Sequence, residues 1–157
     1  MMNDKNKQFF EIELIKTEDG SHTLHFPRLG ENYHSIHGAI QESRHVFIDN
    51  GFLTVNKTTP TLKIFEVGFG AGLNALLTFL ETESTPQNVI YHTIEKYPLE
   101  KNIYSGLNYP DFLGNRSKKI FDEMHEAPWN KTYQMTKNFH LHKIYGDIET
   151  FQFSDKY

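Results

Sequence analysis

The pattern of apolar and polar residues along the chain is clearest between residues 61 and 80. An apolar run at 62–67 meets a cluster in which Gly68, Gly70 and Gly72 alternate with other residues. Apolar residues then recur at helical spacing, at Leu73, Leu76, Leu77 and Leu80. This order predicts a strand, a tight glycine turn and a helix, which is how a nucleotide-binding α/β domain begins.

Two later segments predict further strands. Residues 88–94 form an apolar run that ends at Glu95, and a third strand region, with apolar residues at 139, 141 and 144, ends at Asp147. Strand, helix and strand in this rhythm predict a parallel sheet with crossover connections. Between the second and third strands we predict a short helix whose first turn holds Pro98, turns at 109–111 and a helix over 117–125. Residues 148–153 predict one or two helical turns.

The segment before residue 56 lies outside a minimal nucleotide-binding fold. Phe10, Ile12 and Leu14 alternate with glutamates, Asp19-Gly20 is a hairpin signal, and a return strand ends before Pro27. A polar and aromatic loop at 30–35 then leads into a helix, with Ser35 as its predicted N-cap and Asn50-Gly51 as its end. The sequence therefore predicts a β-hairpin and a helix ahead of the α/β region.

Composition narrows the functional classes. The chain has 157 residues, 16 basic and 20 acidic, for a formal net charge of −4, so no uniformly basic surface is expected. It contains no run of 18 apolar residues and no secretory signal, which predicts a cytoplasmic protein without a membrane span. The absence of cysteine excludes disulfides and thiolate metal sites. His34, His37 and His45 fit a partly exposed helix better than a metal site, so no metal is expected.

Acidic residues stand at or near the ends of all three predicted parallel strands. Glu66 is in the first strand, Glu95 ends the second and Asp147 follows the third. Ligands of such folds lie across the carboxyl ends of the strands. A carboxylate at Glu95 can accept both ribose hydroxyls of an adenosyl ligand, and Asp147 is placed to meet the adenine amine.

Two adenosyl ligands compete for this arrangement. Dinucleotide sites favour G-x-G-x-x-G, whereas this chain has G-x-G-x-G with an acidic residue two positions before the first glycine. The pattern favours S-adenosylmethionine, which has no pyrophosphate to place and carries a positive sulfonium. Two alternatives stay open: a non-catalytic S-adenosylmethionine-binding module that needs a partner chain, and a nicotinamide-dependent oxidoreductase.

Two long motifs are specific to one family. EVGFGAGLNALLT at 66–78 and ENYHSIHGAIQESRHVFIDNGF at 31–52 resemble the bacterial tRNA wobble-uridine methyltransferases, namely the MnmD proteins and the amino-terminal domain of bifunctional MnmC. The resemblance continues through 91–99 and 142–147 and covers nearly the whole chain from about Ile12. Ala71 stands where the family commonly has threonine.

The resemblance implies the fold and the reaction. The expected fold is α/β, a Rossmann-like S-adenosylmethionine-dependent methyltransferase fold with an N-terminal β-hairpin extension and only the first half of the sheet present. Residues 1–55 would form the extension and residues 56–157 the front part of the methyltransferase domain. The implied reaction is S-adenosylmethionine-dependent N-methylation of the 5-aminomethyl group of wobble (2-thio)uridine in tRNA, giving 5-methylaminomethyl-uridine.

The resemblance also implies the cofactor-binding residues. The methionine part would be held by Glu66, Gly68, Gly70, Gly72, Leu73 and Asn74. Glu95 would hold the ribose and Asp147 the adenine, and Phe69 and Lys96 complete the set. Tyr33, His34 and Ser35 would close over the cofactor near the substrate pocket.

One family motif is absent. The family carries an Asp-Ala-Phe-x-Pro motif close to the reacting amine, on the strand after the third helix, and this sequence ends at Tyr157, where that strand would begin. The catalytic residue is therefore unassigned. We expect residues 1–157 to be the front of a longer protein or a truncated product. The 62–67 strand would then lie at an unpaired edge of the sheet, which is an aggregation hazard.

Overall fold

The computed structural model describes residues 11–55 and 58–153, and its first part is a small antiparallel sheet. Strands β1 (Glu13–Lys16), β2 (His22–Phe26) and β3 (Glu31–Asn32) follow one another in the order β1-β2-β3. The predicted hairpin is confirmed, with Leu14 opposite Leu24. Phe10 of the predicted pattern lies outside the described residues. The two-residue strand β3 was not predicted.

The first helix begins three residues later than predicted. Helix α1 spans Ala39–Ser43 and continues as a π-helical segment, Arg44–Asp49, that ends at Asn50; a 3-10 turn, Phe52–Thr54, follows. Gly38, not Ser35, is the N-cap, and a glycine has no side chain that could cap the helix. The hairpin turn satisfies the first N–H groups instead, because Asp19 Oδ2 accepts from the Gln41 N–H at 3.0 Å.

The second sheet has four strands in the order β4-β5-β7-β6. Strands β4 (Thr61–Val67), β5 (Asn88–Glu95) and β7 (Phe139–Tyr145) are parallel, as predicted, while β6 (Lys131–Thr136) pairs antiparallel with β7. Strand β6 was not predicted. Among the described residues β4 has β5 as its only neighbour, so it lies at the edge of the sheet as expected.

Four helices complete the α/β part. They are α2 (Leu73–Thr82), α3 (Lys101–Tyr104), α4 (Tyr109–Phe112) and α5 (Ser117–Glu126). The helices predicted after the glycine turn and at 117–125 are confirmed. Three predictions were wrong: α3 starts three residues after Pro98, residues 109–111 are helical rather than a turn, and residues 148–150 form hydrogen-bonded turns, followed by 151–153 without regular structure, instead of helix. Pro110 sits in the first turn of α4, where its missing N–H costs no hydrogen bond.

One apolar cluster joins the two parts of the chain. Leu24 of the hairpin and Ile48 of the π-helical segment belong to the same buried cluster as Leu76 of α2 and Phe121 of α5. Each such side chain stabilises the fold by about 1.5–3 kcal/mol when fully buried. The cluster packs α2 and α5 against the sheet and holds the small sheet beside the carboxyl ends of β4 and β5. The boundary between 55 and 56 stays a prediction.

Candidate functional site

A cavity of about 670 Å³ opens at the carboxyl ends of β4 and β5, between the glycine turn and the small sheet. Its size is typical of a site for a small molecule or cofactor. Nine of the thirteen predicted cofactor residues line it: Tyr33, His34, Glu66, Gly68, Phe69, Gly70, Leu73, Asn74 and Glu95. The other four, Ser35, Gly72, Lys96 and Asp147, are not among its lining residues.

The glycine turn depends on backbone conformations that favour glycine. Gly68, Gly70 and Gly72 have φ angles of 86°, 51° and 72°. A Cβ at Gly70 would also lie 3.2 Å from the ring of Tyr33, and one at Gly72 would lie 3.0 Å from Nε2 of His125. The alternating glycines thus allow the close packing of the turn against Tyr33 on one side and α5 on the other.

Glu95 is held at the floor of the cavity by two backbone donors. Its Oε2 accepts from the Gly70 N–H at 3.0 Å and its Oε1 from the Tyr97 N–H at 2.7 Å. Burial and the charge of Glu95 raise the pKa of Tyr33 to about 12. Tyr33 therefore keeps its phenolic proton at neutral pH and can act as a donor in the cavity.

Glu66 is the most deeply buried acid of the site. Its Oε1 accepts from Asn74 Nδ2 at 3.1 Å, while Oε2 has no hydrogen-bond partner of good geometry among the described residues. Burial raises the pKa of Glu66 to about 7, although hydrogen bonding from Asn74, Thr93 and Tyr91 opposes that shift. A buried carboxylate is costly unless a cation pairs with it, so a cationic ligand beside Glu66 would be stabilised.

Lys96 and Asp147 form an ion pair outside the cavity lining. Lys96 Nζ lies 2.5 Å from Asp147 Oδ2, and Asp147 Oδ1 accepts from the Glu149 N–H at 3.0 Å. The hydrogen bond from Lys96 holds the pKa of Asp147 below its ordinary value. The Gly146 N–H donates to the Glu95 carbonyl at 3.1 Å, which keeps Asp147 at the same sheet edge as Glu95. The adenine role of Asp147 stays a prediction.

Several residues of the cavity were not predicted from the sequence. The apolar wall and rim comprise Ile12, Phe26, Leu29, Phe47, Phe65, Val67, Ala71 and Tyr97, and the polar additions are Glu31 and Asn32. Strand alternation already marked Ile12 and Phe26 as half-buried, but no local signal shows that the hairpin closes the cavity. Those contacts are tertiary.

The carboxylates lining the cavity have no basic counterpart among the lysines and arginines of the described residues. Three carboxylates line the cavity, those of Glu31, Glu66 and Glu95, while no lysine or arginine of the described residues does so. Burial lowers the pKa of His34, which favours its neutral form. Such a lining favours a cation and disfavours a phosphate or pyrophosphate.

Within residues 11–55 and 58–153, no group of three or more histidine, aspartate or glutamate side chains is placed to hold a metal ion. None of the helices in these ranges is both long and apolar enough to cross a membrane.

Comparison with known proteins gives sequence relatives and a structural neighbour. The tRNA 5-methylaminomethyl-2-thiouridine biosynthesis bifunctional protein MnmC of Burkholderia multivorans is 35% identical over 88 residues, which is 54% of this chain and 13% of that protein. MnmC of Cupriavidus metallidurans is 34% identical over 107 residues, covering 66% and 16% of the two chains. No protein-family model matches the chain.

The structural neighbour covers more of the chain. The crystal structure of MnmC2 from Aquifex aeolicus matches with a TM-score of 0.71 and 26% identity over 90% of this chain and 44% of that one. The fold is thus a Rossmann-like methyltransferase fold. The resemblance indicated by the motifs is confirmed: this chain is related to the MnmC proteins. It spans less than a fifth of the length of these two MnmC proteins.

Proposed function

We propose that this chain carries the S-adenosylmethionine site of a methyltransferase that modifies the wobble uridine of tRNA. The reaction would be N-methylation of the 5-aminomethyl group, which the similarity to MnmC supports. The observation that carries the proposal is a cavity lined by three carboxylates, one of them the buried Glu66, and by no lysine or arginine of the described residues. S-adenosylmethionine presents two positive charges, an ammonium and a sulfonium, to such a lining.

The residues of the cavity fit this cofactor in three places. Glu66 with Asn74 would accept the methionine ammonium. Glu95, already oriented by the Gly70 and Tyr97 N–H groups, would accept the ribose hydroxyls. Bound there, the cofactor would supply an electrophilic methyl group for transfer to an amine.

Methyl transfer to an amine requires the chain's own residues to favour the neutral amine and to align the reactants. An alkyl amine is mostly protonated near neutral pH, so its proton must be removed or its neutral form favoured by desolvation. The apolar wall that includes Phe26 and Phe47 can exclude water from the cavity. The glycine turn and Tyr33 can hold the reactants in line. The proton acceptor is not assigned to a residue.

A binding module that acts with a second polypeptide is the other candidate. Strand β4 lies at the sheet edge, with Val67 62% exposed. Exposed edge strands pair readily with other chains. In this case the cavity would bind S-adenosylmethionine, but methyl transfer would require the partner. The nicotinamide alternative is disfavoured, because the described lining offers no cation for a pyrophosphate.

Two experiments separate these functions. Titration with S-adenosylhomocysteine and with NAD tests the cofactor, and we expect binding of the first alone. Methyl transfer from S-adenosylmethionine to tRNA that lacks only this methyl group tests catalysis. Transfer by the purified chain supports the enzyme, whereas binding without transfer supports the module. Tighter binding of NAD than of S-adenosylhomocysteine would reject both.

A further inference from the structure

Lys143 is a buried lysine without an acidic partner. It lies on β7 with 1% of its surface exposed, and no carboxylate of the described residues is within ion-pair distance. Its Nζ donates to the His125 carbonyl at 2.7 Å and lies 4.5 Å from the ring centre of Trp129 and 5.2 Å from that of Phe69. The ammonium is thus held by two aromatic faces and one carbonyl.

Two of the residues that contact Lys143, Phe69 and His125, connect it to the glycine turn. Phe69 belongs to the turn and lines the cavity. His125 lies in the last turn of α5, where a cation is favoured by the exposed carbonyls, and its Nε2 lies 3.2 Å from the Ala71 carbonyl. Burial lowers the pKa of His125 to about 4, so its ring is neutral near pH 7 and Nε2–H can donate to Ala71.

We infer that Lys143 is a positioning residue for the cofactor site. Its ammonium holds Phe69 directly, and it holds the end of α5, whose His125 ring bonds to Ala71. The glycine turn is thereby kept in the geometry that accepts the cofactor. This inference rests on the proposed function of the cavity.

The charge state of Lys143 supplies a way to test this role. Burial lowers the pKa of Lys143 to about 8. The titratable residues around Lys143 are His125 on α5, Lys131 and Glu66. Lys131 lies opposite Lys143 on β6. Glu66 lies on β4, two strands away, where it pairs with Thr93 of β5. Loss of the proton removes the attraction to both rings and weakens the bond to the carbonyl.

As pH rises above about 8, the stability of the folded chain and its affinity for the cofactor should change in opposite directions. The folded pKa of Lys143 is below the value of about 10.4 for an unfolded lysine. Between these two values the unfolded chain binds more protons, so the contribution of Lys143 to stability rises with pH. Cofactor affinity should fall over the same rise, because the positioning contacts are lost. A purely structural role would change both in the same direction.

The first readout is the fluorescence of Trp129, the only tryptophan of the chain. We expect a transition near pH 8 that shifts to higher pH with saturating S-adenosylhomocysteine, since binding and protonation must favour each other. Lys143→Met should abolish the transition, and Lys63→Met, at an exposed lysine of β4, should retain it. A transition that the ligand does not shift would overturn the inference, even if Lys143→Met fails to fold.

The second readout is S-adenosylhomocysteine affinity by calorimetry. At pH 7 Lys143→Met should bind about 5-fold to 10-fold more weakly than the unaltered chain, with a melting midpoint that is no lower. The difference should close by pH 9.5. Equal affinity at every pH, or a loss that follows a loss of stability, overturns the role of Lys143 alone. Failure of the unaltered chain to bind at any pH overturns the proposed function as well.

Discussion

The N–H group of Gly70 donates a hydrogen bond to Glu95 Oε2 at 3.0 Å, so the glycine turn and the carboxylate of the next strand form one unit. The two residues are 25 positions apart in sequence, yet they meet because β4 and β5 are parallel neighbours that end at the same edge. Glu95 is therefore oriented before any ligand arrives. Preorganisation of this kind lowers the cost of binding.

Replacing Glu95 by alanine should weaken S-adenosylhomocysteine binding by about 10-fold to 100-fold, the equivalent of one or two hydrogen bonds to a charged group. Calorimetric titration measures the change. Glu13→Ala is a matched control, because Glu13 is exposed on β1 and does not line the cavity. Unchanged affinity in Glu95→Ala would exclude the ribose role.

Glu66 predicts an unusual dependence of stability on pH. Because its folded pKa of about 7 lies above the ordinary 4.5, the folded chain binds more protons between these values. The free protein should then lose up to about 3 kcal/mol of stability as pH rises from 4.5 to 7.5. Urea unfolding at several pH values measures the loss.

Glu66→Gln provides the matched variant for that measurement. The amide cannot ionise, so this variant should lack the Glu66 contribution to the decline and be more stable than the unaltered chain at pH 7.5. It should also bind S-adenosylhomocysteine about 10-fold more weakly, since the ammonium loses its charged acceptor. Identical pH profiles for the two chains would contradict the buried position of the carboxylate.

Gly70→Ala should reduce both stability and cofactor binding. The added Cβ must adopt a φ of 51° and approach the Tyr33 ring to 3.2 Å. Gly114→Ala separates the cost of the backbone conformation from the cost of the contact with Tyr33. Gly114 has a φ of 92°, but nothing lies within 4 Å of an added Cβ there. Each variant should lose about 1–2 kcal/mol of stability from the backbone. Only Gly70→Ala should lose affinity, and an equal loss in Gly114→Ala would argue against a local effect.

Asp19 links the hairpin turn to the start of α1. Its Oδ1 accepts from the Ser21 N–H at 2.9 Å and its Oδ2 from the Gln41 N–H at 3.0 Å. Asp19→Ala should therefore cost about 0.5–2 kcal/mol, as for loss of a helix cap, measured by urea unfolding. The pKa of Asp19 is lowered by these hydrogen bonds against opposing burial, so its contribution should be present at neutral pH and fade as pH falls below about 4. Asp19→Asn should lose less than alanine, and an unaffected Asp19→Ala would disprove the link.

The sequence predicted those elements whose local pattern agrees with their final environment. Residues 62–67, the glycine turn and the stripe at Leu73, Leu76 and Leu77 are examples, because strand, turn and helix each carry their own signal. Strand β6 was missed, since Lys131–Thr136 is mostly polar and pairs only at the edge of the sheet. Its stability comes from hydrogen bonds to β7, which no local pattern records.

Only the part of the site that follows from local sequence patterns was predicted. The glycines and Glu95 follow from strand ends, but the wall that closes the cavity comes from a hairpin some forty residues earlier in the chain. Lys143 shows a different limit. It lies two residues after Leu141 and so on the same core face of β7, but a lysine is rarely buried, so the sequence alone does not predict its burial. Two aromatic rings and a helix end, all distant in sequence, make that burial tolerable.

The central claim is that the cavity beside Glu66 and Glu95 selects a cationic adenosyl ligand over a dinucleotide. Calorimetric titration of the purified chain with S-adenosylmethionine, S-adenosylhomocysteine and NAD at pH 7 tests it most directly. We predict saturable one-to-one binding of the first two, no measurable binding of NAD, and weaker S-adenosylmethionine binding in Glu66→Gln and Glu95→Ala. Binding of NAD with equal or higher affinity, or S-adenosylmethionine binding that both variants retain, would contradict the account.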